Sequence, residues 1–267
     1  MSAAPGLPPG PAAESLDADL ERRFGGLRRL YGDAGYERLR AARIAIVGLG
    51  GVGSWAAEAL ARSGVAALTL IDLDHVAESN VNRQVHAVDA TLGQAKAAAL
   101  QDRIATIHPG CRVQAVEEFV DEGNWPALLA EPVDVLIDAC DQVRAKALLA
   151  AWGRSTGVPV VTVGAAGGKR RPHFVEVADL AQTTHDPLLS SMRQRLRQRH
   201  NAPRRGDMGV LCVYSREPVL MPAAAEPGVA SGGLNCAGYG SVVTVTATFG
   251  LVAAAEAMRL IVDAKAV

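Results

Sequence analysis

The chain has 267 residues, of which 49% are hydrophobic and 21% are charged, and its formal net charge at pH 7 is −1. This ordinary globular composition allows one large domain, or one domain with an appendage. The four cysteines are widely spaced and never form C-x-x-C, which argues against a zinc ribbon or a disulfide framework and predicts a cytoplasmic protein. They are Cys111, Cys140, Cys212 and Cys236.

Residues 1–13 are rich in proline, glycine and alanine, and they predict a disordered lead-in. The segment lacks the basic start and the continuous apolar core of a secretory signal. We therefore expect a single folded domain over residues 14–267.

The stretch from Arg43 to Asp72 predicts a nucleotide-binding βαβ unit. A strand over 44–47 runs into a glycine loop, a helix follows over 54–62, and a second strand over 68–71 ends at Asp72. Such a loop brings backbone N–H groups close to phosphates, and the Asp72 carboxylate is placed to accept a hydrogen bond from a ribose hydroxyl. The loop glycines are Gly48, Gly50, Gly51 and Gly53. The pattern indicates a nucleotide and leaves open whether it is a redox dinucleotide or ATP.

Alternating strands and helices continue along the chain and predict an α/β fold, a doubly wound, mostly parallel Rossmann-like sheet with a C-terminal α+β extension. Apolar runs such as residues 133–137 are typical of strands that are buried on both faces. The predicted strands are 112–116, 133–137, 158–163, 174–177 and 211–214, and the predicted helices are 93–106, 143–155, 188–200 and 241–265.

The last of these helices raises the question of a membrane span. Residues 241–262 are largely apolar, but Glu256 and Arg259 interrupt the run. We expect a buried or amphipathic helix and no stable span. Its predicted apolar face contains Leu251, Ala255, Met258 and Val262.

A dense polar run follows Asp72, and it favours ATP over a redox cofactor. Arg83 can make bidentate contacts with phosphate oxygens, and Lys96 lies near a helix start, where its ammonium can meet an α-phosphate. Each of these two residues, taken alone, can equally be an ordinary surface cation. Further polar side chains in this run that can bind the nucleotide are Asp74, Asn80 and Gln84.

Two carboxylates, Asp138 and Asp141, follow a buried strand. Ligands of open α/β sheets bind at the carboxyl ends of the strands, so a carboxylate there is placed to hold Mg²⁺ against phosphates. We expect Asp141 to bind the metal. Asp138 is a second nucleotide-binding candidate, or the N-terminal cap of the next helix.

Charge is distributed unevenly along the chain. Residues 1–168 carry a net charge of −5, whereas residues 169–216 carry +6. An excess of this size predicts a polyanionic partner, although a solvated helix is the alternative. The basic residues concerned are Lys169, Arg170 and Arg171, then Arg193, Arg195, Arg197, Arg199, Arg204 and Arg205.

Five motifs, taken in chain order, resemble those of the E1-like adenylating superfamily. They are GLGGVG, LTLID, SNVNRQ, GQAK and DACD. This superfamily includes the activating enzymes of ubiquitin-like proteins and of sulfur carriers. The resemblance implies that Asp72 binds the ATP ribose, that Arg83 and Lys96 contact phosphates together with Asn80 and Gln84, and that Asp141 binds Mg²⁺. It also implies a homodimer in which an arginine reaches the partner's ATP. Candidates for that arginine are Arg23 and Arg29.

Within the superfamily, three further segments are similar to segments of the tRNA threonylcarbamoyladenosine dehydratases. They are RFGGLRRLYG, THDPLL and GVLCVYSREPV. The resemblance implies ATP-dependent dehydration of threonylcarbamoyladenosine at position 37 of tRNA. Residues 14–168 would be the ATP-binding half, and residues 169–267 the basic substrate-binding part. A sulfur-acceptor protein is a further implied partner. The alternative is an adenylating enzyme for the C-terminus of a ubiquitin-like sulfur carrier, but the C-x-x-C pairs usual in that branch are absent from this sequence.

Cys236 lies in the glycine-rich segment GGLNCAGYG, where a thiol can be exposed to a ligand. It is a catalytic candidate that could form a transient thioester, and a small buried cysteine is at least as good an interpretation. Two other functions remain open on the residues alone. One is a nicotinamide dehydrogenase, and the other is a non-catalytic tRNA-binding scaffold.

Overall fold

A computed structural model describes residues 20–220 and 239–264 and contains a seven-stranded sheet. The strand order is β3-β2-β1-β4-β5-β7-β6, and every neighbouring pair is parallel except β6 with β7. The strands are β1 (Arg43–Val47), β2 (Ala67–Ile71), β3 (Arg112–Val116), β4 (Val135–Asp138), β5 (Val160–Val163), β6 (Val175–Asp179) and β7 (Leu211–Ser215). The predicted doubly wound, mostly parallel sheet is confirmed, and the two late strands extend that same sheet.

Helices cover the sheet and connect its parallel strands. They are α1 (Gly26–Ala41), α2 (Gly53–Arg62), α3 (Lys96–Ile107), α4 (Val143–Thr156), α5 (Pro187–Arg199) and α6 (Val243–Val262). The helix that we predicted from Gly93 begins instead at Lys96, because Gly93 has a φ of +83° and Ala95 pairs with His75 in an isolated β-bridge.

The order of the central strands creates the crevice in which the candidate site lies. The chain leaves β1 in one direction to β2 and β3, and later returns to β1's other side as β4. In sheets with this kind of reversal, ligands bind outside the carboxyl ends of the strands at the switch point. The main apolar core joins residues of the central strands to residues of α2, α3 and α6, and β4 is buried along its whole length.

Helix α6 packs against α2 and the sheet. Gly250 allows the close approach, because a Cβ there would lie 2.4 Å from the Val52 carbonyl oxygen. In the described part of the chain, α6 is long and apolar enough to cross a membrane, but its buried face, which includes Phe249, is part of the core. The predicted apolar face is wrong at Leu251 and Ala255, which are exposed, since small residues on the other side make the closer packing surface.

Candidate nucleotide-binding site

A cavity of about 320 Å³ opens at the carboxyl ends of β1, β2, β4 and β5. This is the edge at which an open α/β sheet binds its ligands. The predicted residues that line it are Gly48, Gly50, Gly51, Asp72, Asp74, Asn80, Arg83, Gln84, Lys96 and Asp141. Side chains from four separate stretches of the sequence therefore meet in one place.

The glycine loop brings the backbone close to this cavity. Gly48 has a φ of +87°, and a Cβ on it would lie 2.7 Å from the Cys140 backbone nitrogen, so only glycine fits the turn. Gly53 is not on the cavity wall; a Cβ there would lie 1.8 Å from the Gly48 carbonyl oxygen, and it lets α2 begin directly against β1. No side chain caps the first turn of α2, and although Ser54 N donates to the Gly50 carbonyl oxygen at 3.1 Å, the positive end of the helix dipole still faces this loop and favours an anion there.

Asp72 is held in place by backbone groups. Its Oδ2 accepts a hydrogen bond from Leu49 N at 2.6 Å, and its Oδ1 accepts one from Asp74 N at 2.9 Å. Burial raises the pKa of Asp72, while the nearby Lys96 charge acts in the opposite direction. A carboxylate fixed in this way can accept hydrogen bonds from ribose hydroxyls without further rearrangement.

Lys96 lies between two carboxylates on the cavity wall. Its Nζ is 2.7 Å from Asp74 Oδ2 and 3.9 Å from Asp72 Oδ1. The Lys96 side chain is only 7% exposed, whereas that of Asp74 is 60% exposed. The ammonium is therefore directed into the cavity and has a solvent-facing partner that a phosphate can replace.

The polar segment after β2 brings Asn80, Arg83 and Gln84 to the same wall. Asn80 Oδ1 accepts a hydrogen bond from Ala77 N at 3.1 Å, which fixes the short helical turn at Glu78–Asn80. Arg83 Nη1 donates to the Ser79 carbonyl oxygen at 2.8 Å. Gln84 Oε1 is buried and has no hydrogen-bond partner within the described ranges, so it remains available to a ligand donor.

The two carboxylates after β4 occupy different environments. Asp141 is exposed and lines the cavity. Asp138 is fully buried and does not line it; its Oδ1 lies 3.0 Å from Lys146 Nζ. Nor does Asp138 cap α4, whose N-cap residue is Gln142. The structure thus separates the two candidates and leaves Asp141 as the one that can contact a nucleotide or its metal.

Other predicted residues lie away from the cavity or outside the described chain. Arg29 is exposed on α1, and Arg23 donates a hydrogen bond from Nη1 to the Ile107 carbonyl oxygen at 2.8 Å. Neither lines this chain's own cavity. Cys236 and the lead-in over 1–13 lie outside the described residues.

Sequence reasoning missed part of the cavity wall. Glu118, Phe119 and Val120, just after β3, line it, and Phe119 is 49% exposed. Their place at the end of the strand beside β2 could have indicated them, because the carboxyl ends of parallel strands meet at one edge. Further lining residues with no chemical signature in the sequence are Gly164, Ala165, Ala166, Leu188 and Thr246.

The predicted basic region does not form one continuous surface. Lys169 is only 2% exposed, and its Nζ donates to the carbonyl oxygens of His185, Ser215 and Glu217 at 3.2, 3.1 and 2.8 Å. Lys169 is therefore an internal anchor and not a surface cation. On α5, Arg193 donates to Thr183 at 2.8 Å. Its neighbours Arg195 and Arg197 contact Glu122 and the Pro203 carbonyl oxygen, respectively.

Comparison with known proteins agrees with this arrangement. The ThiF family model matches residues 23–267. The chain is 44% identical over 248 residues to the tRNA threonylcarbamoyladenosine dehydratase of Escherichia coli (strain K12), covering 89% of this chain and 92% of that protein. It is also 40% identical to the molybdopterin-synthase adenylyltransferase of the same strain, but over only 48% of this chain and 51% of that protein.

Among solved structures, the chain resembles the crystal structure of E. coli tRNA N6-threonylcarbamoyladenosine dehydratase in complex with ATP. The TM-score is 0.82 at 42% sequence identity, over 90% of this chain and 94% of that one. The similarity thus extends through the C-terminal strands and is not confined to a nucleotide-binding half. The chain belongs to the ThiF family, and within it to the family of the tRNA threonylcarbamoyladenosine dehydratases.

Proposed function

We propose that this protein uses ATP to dehydrate N6-threonylcarbamoyladenosine at position 37 of tRNA through an acyl-adenylate. The observation that carries the proposal is the cavity in which the uncapped start of α2, Asp72, Lys96 and Arg83 converge, in a chain similar over nearly its full length to dehydratases of this kind. These groups suit a ribose and a polyphosphate.

The chemistry explains why ATP is needed. A carboxylate is a poor electrophile, because oxide would have to leave. Attack of the threonyl carboxylate on the α-phosphate releases pyrophosphate and gives an acyl-adenylate. The carbamoyl group then attacks the acyl carbon, AMP leaves with one carboxylate oxygen, and a proton is lost as the ring closes. The nucleoside has then lost the elements of one water, and the ring closure is fast because both reacting groups belong to one molecule.

The residues of the cavity supply charge stabilisation for the first step. Lys96 and Arg83 would stabilise the negative charge that develops on the phosphates, and Asp72 would fix the ribose. Removing one such interaction commonly lowers kcat by about 10²- to 10³-fold. Lys96 Nζ lies 2.7 Å from Asp74 Oδ2, so nucleotide binding would require the exposed Asp74 side chain to turn to water while a phosphate takes its place.

A magnesium ion fits this site if the nucleotide provides most of its ligands. No group of three or more His, Cys, Asp or Glu side chains that could hold a metal occurs within the part of the chain described by the structure. Mg²⁺ at nucleotide sites commonly takes one or two carboxylates together with phosphates and water. Asp141, exposed on the cavity wall, would provide the carboxylate, and the bound ion would neutralise phosphate charge.

The proposal extends to a cytoplasmic homodimer in which Arg23 or Arg29 reaches the partner's nucleotide. Arg29 is exposed on α1, as this role requires. A sulfur-acceptor protein partner and a covalent role for Cys236 remain predictions.

Mass spectrometry of the nucleoside at position 37 tests the substrate and the reaction together. The protein is incubated with ATP and tRNA carrying threonylcarbamoyladenosine, with Lys96→Met protein as the control. We expect a nucleoside lighter by one water and an equal amount of AMP with the unaltered protein only. Unchanged tRNA, together with pyrophosphate exchange that depends on a ubiquitin-like carrier, would support the sulfur-carrier alternative instead.

A further inference from the structure

Three exposed arginines and one half-buried phenylalanine lie beside the cavity, and we call Arg170, Arg171, Phe174 and Arg216 the cavity-edge cluster. We propose that this cluster is the docking platform for the single-stranded loop of the tRNA whose modified base enters the cavity. The inference rests on the proposed function and identifies the surface that holds its substrate.

The cluster combines guanidinium groups with an aromatic ring. The Arg171 Cζ lies 5.4 Å from the centre of the Phe174 ring, and the Arg216 Cζ lies 4.9 Å from it. The adjacent His173 ring is 4.5 Å from the Phe174 ring at an angle of 70°. Proteins bind single-stranded RNA with this combination, since bases stack on aromatic or guanidinium planes while cations contact the phosphates.

Buried groups hold the cluster in position. The Glu217 carboxylate accepts hydrogen bonds from Arg170 N at 3.0 Å and Arg171 N at 2.8 Å. Directly before them, the buried Lys169 is fixed by its three carbonyl acceptors. Arg216 N donates to the Phe174 carbonyl oxygen at 3.2 Å, which joins the two chain segments of the cluster. The arginines therefore project from a loop that is already ordered, which reduces the entropy lost when RNA binds.

The topology places this cluster at the edge of the sheet that contains the cavity. Arg216 follows the carboxyl end of β7, which is parallel to β5, and Phe174 precedes the antiparallel β6. Ala166 lines the cavity, and the chain reaches Arg170 four residues later, so their Cα atoms are at most about 14 Å apart. A groove of about 440 Å³ beside the cluster is lined by Arg170 and by Tyr239, a further ring.

The other exposed arginines of residues 169–216 lie at the opposite ends of the strands from the cavity. They are Arg199, Arg204 and Arg205, and we call them the distal arginines. Asp179, at the end of β6, accepts hydrogen bonds from the backbone nitrogens of residues 208–210, just before β7 begins. Arg199 ends α5, which begins beside the cavity and spans about 20 Å. Charge alone does not distinguish the two groups, but their position does.

One contact within the protein competes with RNA. Arg216 Nη1 lies 3.3 Å from Glu176 Oε1, with side chains that are 56% and 39% exposed. Because exposed pairs of this kind contribute little free energy, a phosphate can replace the carboxylate. Arginine also suits the role because its planar group both stacks on bases and binds phosphate oxygens in pairs.

Two matched triple variants test the proposal. Arg170→Ala/Arg171→Ala/Arg216→Ala removes the charge of the cavity-edge cluster, and Arg199→Ala/Arg204→Ala/Arg205→Ala removes the same charge from the distal arginines. For the first variant we expect at least tenfold weaker tRNA binding, and a slope of log affinity against log salt that is smaller by about two. For the second variant we expect affinity within about twofold of the unaltered protein, because its arginines lie far from the cavity.

Phe174→Ala, compared with Phe174→Tyr, tests stacking separately. We expect about tenfold weaker tRNA binding for the alanine variant and little change for tyrosine, whose ring can still stack. The affinity for ATP should be unchanged in all of these variants, which also serves as a check of folding.

The two proposals can fail separately. If the unaltered protein binds and modifies the tRNA while the distal variant loses as much affinity as the cavity-edge variant, the docking platform is wrong and the proposed function stands. If the unaltered protein neither binds tRNA nor changes its nucleoside, the proposed function fails and this inference fails with it.

Discussion

Two lysine–aspartate pairs lie at the carboxyl ends of the strands on either side of β1, and they have opposite surroundings. Lys96 meets Asp74 and Asp72 on the wall of the cavity, and the Asp74 side chain is 60% exposed. Lys146 meets Asp138 at 3.0 Å with both side chains fully buried. We refer to these as the open pair site and the sealed pair site.

The register of the strands explains this difference. Asp138 is the last residue of β4 and lies level with Val47, so it is still part of the sheet. Asp72 is one residue beyond Ile71, the β2 residue at the same level, and so it reaches the crevice. The same residue types thus serve the fold in one place and, in our proposal, the reaction in the other.

The largest expected effect is on stability, at the sealed pair site. Lys146→Met leaves the Asp138 carboxylate buried without its cation, which should lower the free energy of unfolding by about 3–5 kcal/mol. Adding Asp138→Asn should recover part of this loss. Urea unfolding measures both, with Arg259→Met as a control that should cost below about 1 kcal/mol, because Arg259 is exposed although its partner Glu256 is partly buried. A comparable cost for Lys146→Met and the control would contradict our description.

At the open pair site, the main effect should be on the reaction. Lys96→Met removes the ammonium from the cavity and should lower the rate of AMP formation by about 10²- to 10³-fold. We expect a smaller loss of stability than for Lys146→Met, because Asp74 can turn to water. Normal AMP formation by the folded variant would show that Lys96 is not a phosphate ligand.

The surroundings of the open pair site should also make the free energy of unfolding depend on pH, because His86 is close to Lys96. Burial, with the Lys96 and Arg103 charges adding to it, lowers the pKa of His86 from 6.5 to about 4. Below pH 6.5 the unfolded chain binds a proton at His86 that the folded chain does not bind, and this lowers the free energy of unfolding. The contribution of His86 to stability is therefore complete above pH 6.5 and is lost as the pH falls towards 4. It is on the order of 1–3 kcal/mol.

Unfolding in urea between pH 7 and pH 5 tests this prediction with His86→Leu. Both ring nitrogens of His86 are buried and unpartnered within the described chain, so leucine should cost little at pH 7. The variant should lose less stability on acidification. An unchanged slope would mean that His86 does not contribute to the pH dependence.

The smallest expected effect is a change in the Mg²⁺ requirement, which should occur in a variant of Asp141 and not in one of Asp138. Asp141→Asn should raise the Mg²⁺ concentration needed for half-maximal pyrophosphate exchange by about tenfold, because a carboxylate ligand is lost. Asp138→Asn, which alters the sealed pair site, should reduce stability and leave this requirement unchanged in the folded protein. If the two variants respond alike to Mg²⁺, Asp141 is not the metal ligand.

Much of the cavity could be predicted, because its residues follow strands and a glycine loop with recognisable spacing. The predicted strand over 112–116 and the helix end at Arg62 match β3 and α2. The burial of Lys169 could not be predicted, since KRR reads as a uniform basic run. Only the fold brings the carbonyl groups of Ser215 and Glu217 beneath it. The buried ion pair of Asp138 could not be predicted either, because its partner Lys146 lies on the helix that follows.

The division of the cations between lysine and arginine has a practical consequence for chemical labelling. The sequence contains four lysines, and the three in the described ranges, Lys96, Lys146 and Lys169, are 6%, 0% and 2% exposed. The exposed cations in those ranges are therefore arginines, whose charge persists at any pH the protein survives. Lys146 and Lys169 do not line the nucleotide cavity, so amine-reactive reagents should leave these two lysines intact in the folded protein and modify them as it unfolds. Their labelling would report folding while leaving the charged exterior unaltered.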